Sequence, residues 1–536
     1  MNKQELVRAF AIATVSLLGL LLSNSIVLAS DTDVGDKRAN ADPIPWTGPA
    51  PKANCGPGDR TESGLQGQTT PDERLSGDSE GGYNCNLELV GQFRGQGAKS
   101  QGGPAYSDHC AYYDTNNNPL NERRGVAVID ASDPEHPRAT TFLDDPVMID
   151  PHETLKANPR RKLLAGAEAN GPGFVIYDLS VDCSQPVLKG SIQLEDSSGH
   201  MGNFAPDGLT YYLGQSFRGI GGFMYIVDVS DPSNPKQLPT WQFLGDGRPH
   251  GVWLNRAGTR LYAGQPGIFG QTPTQSSFGP DGLVILDVSD YQFRRPSPEV
   301  RIISKLFWDD QGQVEEMYPF SKKGRQYIVS SDESGGSSGV GGLPAACARG
   351  ASPHGYPNII DITDERNPKI VAKMMLEVSD PDNCELLLND PPELGQIPQY
   401  NQERCVVDRA HNPTMAACAF QSAGLRVFDI RDVYRPKEIA YYKPPAMRTA
   451  FLPGSASWSP GADRTLDRLA GYPRFVKVPG NEVHGREEHG RELQIWIVSN
   501  DNGFQILRFS NTAKALHKDL FEKALQKDFF EDSGAE

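Results

Sequence analysis

The sequence has little positive charge and no P-loop motif. Across 536 residues, 52 Lys and Arg are outnumbered by 68 Asp and Glu, which gives a formal net charge of −16. The basic residues form no cluster of the kind that follows a phosphate backbone, so we expect no nucleic-acid partner. The chain also has no G-x-x-x-x-G-K-S/T loop, which argues against P-loop nucleotide chemistry. The pattern G-x-S-x-G occurs twice, at 77–81 and 335–339, both times within a stretch rich in Gly and Ser.

Long apolar runs are equally scarce, and the one that occurs is at the N-terminus. Lys3 and Arg8 precede an apolar run over residues 9–22, and polar sequence begins after Ala29. This layout predicts a secretory signal peptide over residues 1–29. An uncleaved anchor is the alternative, because residues 9–29 could nearly span a bilayer. No second run follows, so after cleavage we expect no membrane span and a periplasmic or secreted protein.

Cysteine is rare as well: there are eight, all beyond the predicted signal, in a compartment where disulfides persist. Cys405 and Cys418 flank the turn-like His-Asn-Pro at 411–413, and a hairpin centred there would place them opposite each other. We therefore predict a disulfide between these two residues. Shared regions of the chain suggest two further pairs, Cys55 with Cys85 and Cys347 with Cys384.

What the sequence does contain is one phrase that recurs seven times: an apolar triplet followed by Asp, often with Ser/Thr-Asp and Pro after it. The Asp stands at positions 130, 178, 228, 287, 361 and 429, and Arg508 replaces it in the seventh repeat. The shortest steps between repeats, 48 and 50 residues, suit one four-stranded propeller blade. Longer steps imply inserted loops.

The sequence therefore predicts an all-β fold, a seven-bladed β-propeller over residues 81–511. The seventh repeat ends at Ser510 without an outer strand, whereas residues 86–93 resemble an outer strand and precede the first complete repeat. We predict that this N-terminal strand completes the last blade and closes the ring. Residues 30–80 are predicted to be an extended arm or a disordered leader, and residues 512–536 a helix and tail.

The repeated phrase, as in residues 128–134 and 226–232, resembles the LVIVD-repeat family of extracytoplasmic β-propellers. The resemblance covers residues 85–511. It implies a propeller fold and export, but little chemistry, because the family is functionally heterogeneous. Repeat seven departs from the phrase at Arg508, and repeats two and six lack the full Ser-Asp-Pro tail.

Three of the ten histidines appear at matching places in successive repeats. His152, His200 and His250 each lie 11 residues before an apolar residue of the predicted second strand, and the same offset in the fifth repeat gives Glu316. Innermost strands line the channel of a propeller, so we expect these side chains to meet at its mouth. His354 is a candidate to join them from the same side. Three imidazoles and a carboxylate suit copper, zinc or iron.

A repeated histidine also has a structural reading, because blades arise by duplication and the ring can cap a strand or bond a neighbouring blade. A metal-free ligand or acid–base site is a third reading. As a metal site, the channel is similar in idea to the copper-containing selenium-binding-protein/methanethiol oxidase and nitrous-oxide-reductase propellers, which would imply a copper-type redox enzyme.

The competing hypothesis is a non-catalytic module that binds a small ligand, an envelope protein or a carbohydrate. The long connections at 376–402 and 443–471 would form its surface. Phe451, Trp458 and Tyr472 would be its aromatic contacts.

Overall fold

The strands form seven small antiparallel sheets, the blades of a seven-bladed β-propeller. The computed structural model describes residues 37–38, 48–95, 102–115, 123–169, 171–195, 199–215, 222–243, 249–265, 281–308, 310, 312–333, 335–338, 342–389, 399–447, 466–479 and 491–525. Each blade has four strands, called A to D from the channel outward. The predicted all-β propeller is confirmed.

The blades follow the order of the chain. Blade 1 consists of Ala105–Ser107, Cys110–Asp114, Val126–Asp130 and Arg138–Leu143, and blade 2 of Lys156–Asn158, Leu163–Ala167, Gly173–Asp178 and Val187–Gln193. Blade 3 consists of Gly199–Phe204, Thr210–Gln215, Gly222–Asp228 and Lys236–Phe243, and blade 4 of Val252–Leu254, Arg260–Gln265, Asp281–Asp287 and Arg301–Trp308. Blade 5 consists of Val314–Lys322, Arg325–Asp332, Asn358–Asp361 and Lys369–Lys373, and blade 6 of Arg404–Val407, Met415–Phe420, Gly424–Asp429 and Lys437–Lys443.

Blade 7 joins the two ends of the propeller. Its strands A to C are Arg474–Pro479, Arg491–Ser499 and Gly503–Phe509, and its strand D is the N-terminal Leu87–Phe93. Leu87–Phe93 runs antiparallel to Gly503–Phe509, with Phe93 opposite Phe504. The predicted closure by the N-terminal strand is therefore confirmed.

The core lies between the blades. Seven clusters of buried hydrophobic side chains each join two adjacent blades, including one that closes the ring. In that closing cluster, Ala111 and Ile129 of blade 1 pack with Trp496 and Ile506 of blade 7. Each C strand packs on both of its faces, which is why the repeated phrase reads as a continuous apolar run rather than an alternating one. Each fully buried Val, Leu or Ile contributes about 1.5–3 kcal/mol.

The repeated Asp is a turn residue. Asp130 Oδ1 accepts a hydrogen bond from the backbone N–H of Ser132 at 2.9 Å. In the next five blades the Asp likewise accepts a hydrogen bond from the backbone N–H two positions later. Such bonds fix the turn after a strand, so the recurrence of this Asp is structural.

Residues 48–85 form an arm that packs against blade 6. Tyr83–Cys85 adds a fifth strand beside Lys437–Lys443. The helix Pro71–Ser76 begins with a capping box between Thr70 and Glu73. A second short strand, Lys37–Arg38, lies parallel to Arg301–Trp308 of blade 4.

The remaining helices are short. The α-helices are Pro71–Ser76, Ser289–Gln292, Gly342–Ala348, Cys384–Leu388, Asn511–Leu516 and Lys518–Leu525, and the 3₁₀-helices are Asp78–Gly81, Gly335–Ser338, Glu377–Ser379 and Pro381–Asn383. The last α-helix buries Leu520, Phe521 and Ala524. Among the described residues, no helix combines the length and apolar character needed to cross a membrane.

All eight cysteines form disulfides. The three pairs suggested by the sequence are present, Cys405–Cys418, Cys55–Cys85 and Cys347–Cys384. The fourth, Cys110–Cys183, links strand B of blade 1 to the turn after strand C of blade 2. Four disulfides are consistent with an extracytoplasmic location.

Candidate metal centre

Strand pairing defines one equivalent position in every blade, just before or within the start of the innermost strand. On strand C of each blade, the residue before the repeated Asp (before Arg508 in blade 7) lies opposite one residue of strand B. That strand-B residue in turn lies opposite one residue of strand A, its partner. The residues four positions before that partner, in blades 1 to 7, are Gly102, Glu153, His200, His250, Glu315, Glu403 and Gly471. We call this set the ring position.

In blades 2 and 5, the ring position is one residue away from the residue that the 11-residue offset in the sequence selected. We call that offset the sequence alignment. Tyr211 and Leu261 lie opposite the residue before the Asp, but Leu163 lies opposite Asp178 itself. The apolar residue used to align blade 2 is therefore one position too early, and Glu153 replaces His152 as the counterpart of the other histidines. A one-residue change of register moves a strand's side chains to the opposite face.

Blade 5 shows the same effect, because Tyr327 lies opposite Asp361. The structure there places Glu315, rather than the expected Glu316, at the ring position. The alignment missed Glu153 and Glu315, each of which is next to a residue that it selected. An acidic residue beside the selected position was the signal present in the sequence, but only the pairing of the strands shows which of the two neighbours lies at the ring position.

The three expected histidines nonetheless come together. The ring centroids of His152 and His200 are 4.7 Å apart, and those of His200 and His250 are 4.5 Å apart. His152 has a φ of 47°, in the left-handed region. For a residue other than glycine this conformation costs on the order of 1 kcal/mol, and such strain concentrates at functional sites.

The carboxylate of Glu153 lies at the centre of this group. Its Oε1 is 3.7 Å from His152 Nε2, and its Oε2 is 3.4 Å from His200 Nε2 and 3.7 Å from His250 Nε2. The ligand atoms of His152, Glu153 and His200 all lie within 4.8 Å of one another, as do those of Glu153, His250 and Glu315. Three Nε2 atoms therefore face one buried carboxylate.

Arg404, which is fully buried, holds the two carboxylates of the centre. Its Nη2 is 2.8 Å from Glu153 Oε1, and its Nη1 contacts Glu315. Glu315 Oε1 is in turn 3.7 Å from Nδ1 of His250. At this distance the two atoms are not hydrogen-bonded, but the Glu315 carboxylate lies on the Nδ1 side of the ring, away from Nε2.

Burial sets the protonation of the centre. It holds the pKa of His250 well below its usual range, and the neighbouring His200 and Arg404 add to this effect. His250 is therefore neutral at pH 7, which is the form that binds a metal. Burial also raises the pKa of Glu316 to about 8, against the opposing effect of Lys156. Glu316 lies 4.0 Å from Arg404 Nε and belongs to neither ligand group.

Two buried carboxylate oxygens of this centre, Glu153 Oε2 and Glu315 Oε1, accept no hydrogen bond from any described residue, although both carboxylates contact Arg404. A buried carboxylate oxygen without a hydrogen bond is costly. A cation bound among Glu153, Glu315 and the histidines would remove that cost. The donor set thus fits a metal ion.

The other expected site residues lie elsewhere. His354 is buried, its Nδ1 is 3.0 Å from Asn401 Oδ1, and it belongs to neither ligand group. Burial lowers the pKa of His354 to about 4, despite the bond to Asn401. Tyr472 is also buried, and its hydroxyl accepts a hydrogen bond from Lys156 Nζ at 3.0 Å. It is not an exposed aromatic contact. Phe451 and Trp458 lie outside the described residues.

Two further groups with metal-like spacing contain disulfide sulfurs: His109 with Cys110 and Cys183, and Asp59 with Cys55 and Cys85. A metal binds the thiolate form of cysteine. A cysteine held in a disulfide has no thiolate, so neither group is a candidate site.

Comparison with known proteins identifies the repeat. The LVIVD-repeat family model matches residues 221–238, which include strand C of blade 3. No curated protein matches the chain.

Solved structures with similar architecture have little sequence in common with this chain. A periplasmic gluconolactonase from Pseudomonas aeruginosa is 11% identical, with 73% of this chain and 98% of that chain covered and a TM-score of 0.44. A hypothetical selenium-binding protein from Sulfolobus tokodaii is 11% identical, with 76% and 92% covered and a TM-score of 0.44. Hydrazine synthase from Kuenenia stuttgartiensis is 11% identical, with 77% and 97% covered and a TM-score of 0.45. Similarities at this level carry no argument about chemistry.

Proposed function

For this chain, which belongs to the LVIVD-repeat β-propellers, we propose a function based on the site, because a propeller fold does not determine chemistry. The protein binds one transition-metal ion at the mouth of its channel and acts outside the cytoplasm as a redox enzyme of the copper type. The ligands are Nε2 of His152, His200 and His250 and the carboxylate of Glu153. The convergence of three Nε2 atoms on one buried carboxylate supports this proposal.

The spacing of the donors matches that of a metal-binding site. Ligands about 2.0–2.1 Å from a tetrahedral metal lie about 3.3 Å from one another. The distances from Glu153 to the three Nε2 atoms are 3.4–3.7 Å. The donors form two groups that share Glu153, one with His152 and His200 and one with His250 and Glu315, so coordination by all three histidines requires the two groups to move together. Imidazole suits copper, iron and zinc, and carboxylate oxygen is compatible with each of them. Among these metals, copper and iron supply redox chemistry when bound.

The surrounding residues hold the ligands in place. Arg404 contacts Glu153 and Glu315, and Glu315 lies 3.7 Å from His250 on the side opposite to its Nε2. Ligands whose positions are fixed by surrounding residues keep their geometry without the metal. This reduces the conformational entropy lost when the metal binds. The low pKa of His250 means that no proton has to leave this residue before it coordinates.

Metal analysis of the purified mature protein tests the proposal. After equilibration with copper, zinc and iron in turn and removal of excess metal, we expect one ion per chain with at least one of them, and a bound ion that changes oxidation state reversibly. His200→Ala should lose this ion. His136→Ala is the matched control, because His136 is exposed and contacts Asp133 far from the centre.

The outcomes separate the two functional hypotheses. Folded wild-type protein that binds no metal would contradict the metal centre and favour a metal-free binding module for a small ligand, envelope protein or carbohydrate. Bound zinc without a redox-active alternative would leave a metal site but remove the redox assignment. Thermal unfolding of both variants, measured in parallel, shows whether a loss of metal reflects a loss of fold.

A further inference from the structure

The ring position is filled unevenly around the channel. Blades 2 to 6 carry Glu or His there, whereas blades 7 and 1 carry Gly471 and Gly102. Gly102 and Gly103 run beside the backbone of His152 and Glu153. A Cβ on Gly102 would lie 3.5 Å from the carbonyl oxygen of His152, and a Cβ on Gly103 would lie 3.8 Å from Cα of Glu153. On this side the ring position contributes no side chain to the centre.

The proposed histidine ligands are also unevenly exposed to solvent, and the one nearest blade 1 is the most exposed. The side chain of His152 is 17% exposed, that of His200 11%, and that of His250 2%. Exposure therefore falls with distance from blade 1. Among the described residues, the centre is most open towards blades 7 and 1, where Gly471 and Gly102 occupy the ring position. We call this the glycine side.

Tyr472 and two cations, each of which also faces a carboxylate, lie on this side. Tyr472 follows Gly471, and its ring would lie 3.2 Å from a Cβ on Gly103. Its hydroxyl accepts a hydrogen bond from Lys156 Nζ, and the Arg404 guanidinium lies 5.4 Å from the centre of its ring. Two cations therefore lie beside the Tyr472 ring, whereas Glu315 and Glu403 occupy the ring positions of blades 5 and 6.

We infer that the glycine side of the centre is the binding site for a small anionic co-ligand or substrate of the metal, and that Gly102 limits its size. This inference rests on the proposed metal function. Three His and one carboxylate leave a net positive charge on a divalent ion, and a catalytic metal keeps a position open to an exogenous ligand. Glycine at the ring position places no side chain on this side. The positive charge of the metal favours an anion there, since Lys156 and Arg404 already face Glu316 and Glu153.

Azide binding to the metal-loaded protein tests this site. Azide is a small anion whose coordination to copper(II) or cobalt(II) is followed by its charge-transfer absorption. The variants are Gly102→Ala, Gly102→Val and Gly102→Leu, with Ser233→Leu as the control on an exposed turn of blade 3. Gly102 has an ordinary φ, and a methyl group there would meet Asp114 Cβ at 3.3 Å, so at least the smallest change needs only a slight shift.

The inference requires azide to bind the wild type, and its affinity should fall stepwise with side-chain size, at least tenfold by the Val or Leu variant, while metal content stays at one ion per chain. The Ser233→Leu control should bind azide like the wild type. Unchanged affinity through the series, or no azide binding by the metal-loaded wild type, would overturn the anion site but leave the metal centre standing. A wild type without stoichiometric metal would overturn both. If the Leu variant does not fold, the Ala and Val variants decide.

Discussion

Arg508 and Glu88 form an ion pair of reversed polarity at the closure of the ring. Arg508 Nε on strand C of blade 7 lies 3.0 Å from Glu88 Oε2 on strand D, and the two residues are directly opposite in register. Five of the other six blades have the opposite arrangement, with the repeated Asp on strand C and Lys or Arg opposite it on strand D: Asp130–Arg138, Asp228–Lys236, Asp287–Arg301, Asp361–Lys369 and Asp429–Lys437.

This reversal explains why the seventh repeat departs from the common phrase. Like charges directly opposite each other destabilise a strand pair. If the N-terminal strand paired with strand C of any other blade in the same register, Glu88 would face an Asp. The reversed pair therefore favours closure at blade 7 over pairing with the other copies of the repeat.

Reversing the sign of Glu88 should destabilise the closure. In Glu88→Arg, two cations face each other, and we expect the free energy of unfolding to fall by about 0.5–1 kcal/mol, since both side chains are partly exposed. The double variant Glu88→Arg with Arg508→Glu should recover most of this loss. Chemical denaturation of the single and double variants measures both effects. A double variant no more stable than the single ones would contradict a role for the pair.

Metal binding should distinguish Glu153 from Glu316. Glu153→Gln removes the carboxylate that faces three Nε2 atoms, so we expect at least a 100-fold loss of metal affinity. Glu316→Gln changes a carboxyl outside both ligand groups, and we expect a change of less than tenfold. Competition with a chelator of known affinity measures both. The reverse ranking would mean that the alignment of the repeats, rather than strand pairing, identifies the ligand.

The arm formed by residues 48–85 should loosen in acid. Glu62 bonds Arg426 at 2.8 and 3.1 Å and lies 3.6 Å from Lys443. Burial would raise the pKa of Glu62, but Arg426 and Lys443 outweigh it and hold the pKa below its usual value. A lowered pKa means that the stabilisation is fully present above the unfolded value, about 4.3, and is lost as pH falls through the lower folded value.

Glu62→Gln tests this assignment, because it removes the carboxylate at every pH. Near pH 7 we expect it to lower stability by about 3 kcal/mol, the cost of breaking a buried ion pair. The difference from wild type should stay constant down to about pH 5 and shrink at lower pH. Denaturant unfolding between pH 3 and 7 provides the measurement. A difference that grows as pH falls would contradict the predicted sign.

Removal of different disulfides should cost different amounts. Cys110–Cys183 closes a loop with a sequence separation of 73, and Cys405–Cys418 closes one with a separation of 13. Chain entropy predicts that the longer link stabilises the fold by about 1–2 kcal/mol more than the shorter one. Paired Cys→Ala variants provide a direct comparison, because all four sulfurs are buried. Equal losses would indicate that native-state packing, rather than loop length, sets the contribution of each bond.

Local sequence was sufficient for the architecture. The apolar phrase, its Asp and the spacing of its copies specify a C strand and its turn, and each copy carries this information by itself. The missing outer strand after Ser510 and the spare strand at residues 86–93 then imply the closure that the pairing of Leu87–Phe93 confirms. The Cys405–Cys418 bridge followed in the same way from a hairpin within one blade.

The identity of the carboxylates at the centre was decided by tertiary structure. His200 and His250 could be aligned from sequence because blades 3 and 4 have hairpins of the same length and register. Glu153 and Glu315 could not, since the register of strands B and C in blades 2 and 5 differs by one residue from the apolar pattern. Arg404 gave no signal at all, because the carboxylates that it contacts, Glu153 and Glu315, come from other blades.

The sequence by itself thus determined the number of blades, the way the ring closes and the meeting of three histidines at the channel, since repetition and hydrophobic pattern are local properties of the chain. Only the tertiary structure decided which carboxylates face those histidines, and it placed His354 and Tyr472 in separate buried contacts. The physical reason is that a side chain's direction depends on strand register, and one residue of register moves it from one face of a strand to the other.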